Sequence, residues 1–85
     1  MKEDPEIQGW LDRVLEGETP LPPGARQGSE GKAIRARMKR YGFPLAVKLL
    51  TAQGLGPASI AVRIGKSRSW VARILEAQQN DESNN

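Results

Sequence analysis

The side chains best suited to do chemistry in this chain stand together in Lys66-Ser67-Arg68-Ser69, with Arg73 one helical turn beyond Ser69. Their chemistry is hydrogen bonding rather than bond making. A guanidinium offers two parallel donors, the pattern that guanine O6 and N7 accept in the major groove of DNA. A serine hydroxyl donates to a base edge or a phosphate, and a lysine in a turn suits a phosphate better than a base. On this reading Arg68, Ser69 and Arg73 are the candidate base contacts, and Lys66, Ser67, Lys48 and Arg63 are the candidate phosphate contacts. Covalent chemistry is poorly provided for. The 85 residues include no cysteine and no histidine, which excludes disulfides, thiolate metal sites, cysteine nucleophiles and the commonest general base. The carboxylates of the N-terminal half show no pairing suited to acid-base work, and Asp4, Glu6 and Asp12 are accounted for by helix capping and the helix dipole. Gly65-Lys66-Ser67 has the ending of a phosphate-binding P-loop, but the glycine that pattern needs five residues earlier is Ile60, and no strand precedes it. Neither an enzyme nor a cofactor is expected.

Base contacts need a rigid element to carry them. The spacing predicts one helix over residues 58–64 and another over about 67–78, joined by a short turn. Ile60 and Ile64 fall on one face of the first, and Ala61 is small enough for a close crossing. Gly65 suits a turn that requires positive φ. Ser67 is placed to cap the second helix, whose inward stripe is Val71, Ile74 and Leu75. This is the pattern of a helix-turn-helix, in which the first turns of the second helix face the major groove. Trp70 has two readings: packing against the first helix of the pair, which is the simpler, or lying along a sugar-phosphate strand.

The run Ile60-Ala61-Val62-Arg63-Ile64-Gly65-Lys66-Ser67-Arg68-Ser69-Trp70-Val71 resembles the helix-turn-helix of the ParB and KorB class of plasmid proteins. The resemblance covers about 20 residues, or about 30 with the preceding helix, and does not reach residues 1–41. In length the chain resembles the compact KorC-type repressors of plasmids and similar phage repressors more than a full partition protein. The resemblance implies a plasmid- or phage-encoded transcriptional repressor that occludes a promoter.

Charge distribution supports a polyanionic partner. Residues 1–30 hold three basic and seven acidic side chains, a net of −4, whereas residues 31–76 hold ten basic ones against Glu76 alone, a net of +9. Such a block is either a solvated face or an electrostatic footprint for DNA. Arg35, Arg37, Lys39 and Arg40 are most simply the former, with a phosphate role secondary. No apolar run is long enough to span a bilayer and the start lacks a signal core, so a cytoplasmic location without membrane contact is expected.

The remaining organisation is all-α, a small bundle of about five helices. Residues 1–17 form an amphipathic helix with Ile7, Trp10, Leu11, Val14 and Leu15 on one stripe and Gly17 as its stop. Residues 18–31, with Pro20, Pro22, Pro23, Gly24, Gly28 and Gly31, read as a linker. Residues 32–79 form the DNA-binding domain, with helices over 32–41, ended by Gly42, and 44–53, opened by Pro44. Residues 80–85 read as a disordered tail. A single helix-turn-helix reads few base pairs, so a homodimer on an inverted-repeat operator of double-stranded DNA is expected. The N-terminal stripe must be buried somewhere, either back on its own domain or, the favoured reading, against a partner subunit as the dimer contact. Two other classes fit the same residues: the DNA-targeting accessory domain of a recombinase or transposase system, and a protein-interaction module that kept the fold.

Overall fold

The computed structural model describes residues 4–25 and 29–83. The described residues are helical, with no strand, in the order α1 Pro5–Leu15, α2 Ser29–Arg37, a π-helical turn Met38–Gly42, α3 Phe43–Ala52, α4 Pro57–Ile64 and α5 Arg68–Ser83. No helix among them is long and apolar enough to cross a membrane.

α1 starts as its sequence dictates. The Asp4 carboxylate accepts the Glu6 N–H at 3.0 Å and Pro5 occupies the first turn, where no N–H partner is needed. Its stripe does not wait for another subunit. Ile7, Trp10, Leu11 and Val14 are all buried in the chain's own core with Met38, Phe43, Ala46, Val47, Leu50, Ile60, Ile64 and Val71. The expected dimer contact through this stripe is therefore corrected: burying four apolar side chains at home leaves no apolar face on α1 for a partner.

Asp4 also ties α1 to α2, its Oδ2 lying 2.7 Å from Nη2 of Arg37. Partial burial pushes the Asp4 carboxyl up. The Arg37 hydrogen bond, the Glu6 and Ile7 N–H groups and the Arg37 charge outweigh it and hold the pKa below the ordinary 3.8. A carboxyl depressed by folding stabilises the fold above its unfolded pKa, and that contribution vanishes as pH falls through the lower, folded value. The melting temperature is therefore expected to drop on acidification below about pH 4, and to drop less in Asp4→Asn, which starts lower at neutral pH. Parallel acid limbs for the two chains would show that the pair contributes nothing.

Gly42 does not end a helix. α2 runs through the π turn into α3 without a break, with Gly42 at φ −62° and ψ −55° and the Phe43 N–H bonded to the Met38 carbonyl five residues back. The physical reason is Pro44. In an unbroken α-helix its ring collides with the carbonyl four residues earlier and it has no N–H to give. One widened turn absorbs both problems. Glycine gives space at 42 instead: a Cβ there would meet Met38 Sδ at 2.6 Å and Ile7 Cγ2 at 3.4 Å, so the buried Met38 side chain would have to shift. With α2 and α3 fused into one rod, the described residues pack as four helical rods rather than five separate helices.

Two boundaries also shift. α2 begins at Ser29, inside the expected linker, and α5 continues to Ser83, past the expected domain end at residue 79 and into the tail read as disordered, because neither glycine nor proline stops it. Residues 26–28 of the linker and 84–85 of the tail lie outside the described residues. The rest of the linker is docked rather than loose. The Gly24 carbonyl accepts the Arg35 guanidinium at 2.9 Å, and Gly24 sits so close to α2 that a Cβ would meet Arg35 Cγ at 2.5 Å.

Candidate nucleic-acid interface

α4 and α5 pack against each other through Ile60, Ala61, Ile64 and Val71. Between them Gly65 adopts φ 73° and ψ 33°, the left-handed conformation that turns the chain. Its N–H and that of Lys66 both reach the Ala61 carbonyl, the latter at 2.9 Å, which closes α4 with a Schellman-type cap. Ser67 then caps α5, its Oγ accepting the Trp70 N–H at 3.2 Å while its carbonyl accepts the Val71 N–H at 3.1 Å.

A Cβ built on Gly65 meets nothing within 4 Å. Any substitution cost there is backbone strain alone. Gly65→Ala is expected to destabilise the chain by about 1–2 kcal/mol, and Gly65→Asn by less, since asparagine tolerates this conformation. Thermal melts of the two variants check it. An alanine variant as stable as the parent would place the turn elsewhere.

The cap sets the direction in which α5 presents its side chains. Arg68 and Ser69 occupy its first two positions and Arg73 lies one turn beyond Ser69. All three are exposed, while Val71 on the opposite side is fully buried. No ion pair involves Arg68 or Arg73 among the described residues. The three candidate base contacts are thus brought together on one open side of one helix, next to its N-terminus. The first N–H groups there and the helix dipole favour an anion.

The four candidate phosphate contacts do not share one fate. Ser67 Oγ accepts the Trp70 N–H at the cap and lies 3.4 Å from Ser69 Oγ, a contact in which either hydroxyl can donate. Lys66 is exposed, with Nζ 4.7 Å from the Phe43 ring centroid and 5.2 Å from that of Trp70. Lys48 is exposed on α3, away from its buried residues. Arg63 is corrected. It is half-buried, and its Nη1 donates to the Val14 carbonyl at 2.9 Å. There it satisfies the C-terminal end of α1, where a cation is favoured and an orphan carbonyl needs a donor. Gln53 serves the neighbouring Leu15 carbonyl in the same way at 3.2 Å.

Trp70 is half-buried and packs against the core, with Phe43 of α3 as its ring partner. It meets Phe43 edge to face, centroids 5.5 Å apart at 84°, and Phe43 meets Trp10 at 5.4 Å and 82°. Phe43 therefore joins α1, α3 and α5. Sequence reasoning passed over it, although a chain with only four aromatic residues gives each of them a high chance of being a packing hub.

No known protein family, curated protein or solved structure matches the chain. The functional reading accordingly rests on the residues themselves.

Proposed function

We propose that the chain is a sequence-specific binder of double-stranded DNA, acting as a homodimeric transcriptional repressor that occludes a promoter. α4, the turn at Gly65 and α5 form a helix-turn-helix in this reading, in keeping with the resemblance to plasmid and phage repressors. The observation that carries it is the open side of α5, where Arg68, Ser69 and Arg73 stand together with no acceptor for either guanidinium among the described residues. An exposed arginine pair beside a capped helix N-terminus is what major-groove readout requires. Non-covalent recognition of this kind calls for no cofactor. With the α1 stripe buried, the dimer contact moves to later helices, where Val62 is 74% and Leu45 is 38% exposed.

Selection of duplexes from a random pool by the full chain, followed by sequencing, tests the reading. Recovery of a short inverted repeat supports it, and no enrichment sinks it. Sedimentation of the full chain at micromolar concentration reports the dimer.

Salt dependence gives a second, quantitative check. Arg37 is paired with Asp4, Arg63 is bound to Val14 and Arg35 to Gly24, so the basic block offers fewer phosphate contacts than its ten cations suggest. Log affinity should fall against log salt with a slope of about −4 to −6 per protomer, rather than about −9 if every cation met a phosphate. A flat response would remove DNA as the partner of this surface.

A further inference from the structure

A concavity of about 450 Å³ opens beside the start of α5. Its walls come from four places: Pro22 and Pro23 of the docked linker, Arg35 of α2, Lys39 of the π turn with Phe43 behind it, and Lys66 with Trp70 at the α4–α5 turn. No carboxylate among the described residues lines it. Lys66 holds its ammonium in the crook of two perpendicular rings, those of Phe43 and Trp70, and Lys39 stands at the same opening. The volume lies in the range of small-molecule sites and is far more than a lone phosphate group fills. Flat proline faces and aromatic edges suit a planar apolar body, and two lysines with no carboxylate among the described lining residues suit an anion.

We propose that this concavity is an effector site for a planar aromatic carboxylate, and that its occupancy competes with DNA for Lys66. The aromatic body packs between the prolines and the Phe43–Trp70 pair. The carboxylate takes Lys66 and Lys39. Because Lys66 sits one residue before the cap of α5, the same ammonium cannot serve a bound carboxylate and a DNA phosphate at once. The ligand therefore lowers DNA affinity.

The site itself does not depend on the DNA reading, whereas the competition does, and the experiment separates them. The full 15N-labelled chain is titrated with 2-naphthoate, with 2-naphthamide as its uncharged isostere and with inorganic phosphate. Naphthoate is expected to shift the Trp70 indole N–H and the Lys66 amide saturably while leaving the Trp10 indole, which is outside this concavity, unmoved. Lys66→Met should weaken binding about tenfold or more, as for loss of one charge-assisted contact, and Lys39→Gln should weaken it several-fold. Lys39→Gln carries the test alone if Lys66→Met does not fold. No saturable shift up to millimolar naphthoate overturns the site. Equal binding of naphthamide overturns the anion requirement, and equal binding of phosphate overturns the aromatic one. Saturating naphthoate should then weaken binding to the selected duplex at fixed salt, and an unchanged affinity overturns the competition. A chain that binds naphthoate but no DNA defeats only the DNA reading, and one that binds DNA but no naphthoate defeats only this one.

Discussion

Phe43→Ala is expected to cost about 3–5 kcal/mol of folding stability, the range for deleting a buried aromatic side chain from a packed core. A chain of this length has a total stability on the order of 4–13 kcal/mol, so the loss removes roughly a quarter to the whole of it. The size follows from position. Phe43 is 7% exposed, meets Trp10 and Trp70 edge to face and lies under Lys66, so its loss opens a cavity and removes two aromatic pairs and one cation–π contact together. Phe43→Leu keeps most of the volume and should lose only about 1–2 kcal/mol. Urea unfolding followed by tryptophan fluorescence measures both. An alanine variant within about 1 kcal/mol of the parent would mean that the three helices are held together without this hub.

Arg68→Ala should weaken binding to the selected duplex by about 1–3 kcal/mol per half-site, roughly 5- to 150-fold, and a dimer carries the change twice. Binding to a scrambled duplex should change far less, because only a phosphate-strength charge is lost there. Arg68→Lys separates the two contributions: it keeps the charge and loses the bidentate geometry, so it should restore non-specific binding but not discrimination. Anisotropy titrations at one fixed salt concentration on both duplexes measure this. Equal losses on the two would make Arg68 a phosphate contact. Arg68 has no partner among the described residues and is exposed, so its replacement should leave the melting temperature unchanged, which keeps a binding defect distinct from a folding one.

Part of this molecule is legible from neighbouring residues alone. The Asp4 cap and Pro5, the stripe of α1, the terminators Gly17, Gly54 and Gly65, and the Ser67 cap all follow from interactions that span a few residues. Such local terms need no knowledge of the rest of the chain. The exposed triplet of Arg68, Ser69 and Arg73 follows in the same way, because the helical period and Val71 between them fix which side is inward. Local reasoning failed where two local signals conflicted. Gly42 and Pro44 read together as a stop and a start, yet core packing of Met38 and Phe43 on either side keeps the rod continuous and a π turn reconciles it with the proline.

By itself the sequence determined an all-helical chain, the turn at Gly65 with its capped second helix, the cations at the head of that helix, and the absence of thiol and imidazole chemistry. Only the tertiary structure decided which cations are left over. Arg63 and Arg37 look alike to Arg73 in a list of charges. They differ because the Val14 carbonyl and the Asp4 carboxylate arrive beside them from α1 and its cap, 49 and 33 residues away in the chain. The same long-range packing turned the α1 stripe inward and set Phe43 between two tryptophans. It also brought Pro22 and Pro23 across to Lys66 and Trp70. Helix periodicity and capping are written in short stretches of sequence. The partner of a buried ring or a guanidinium is chosen by where distant segments meet, and no local pattern encodes that.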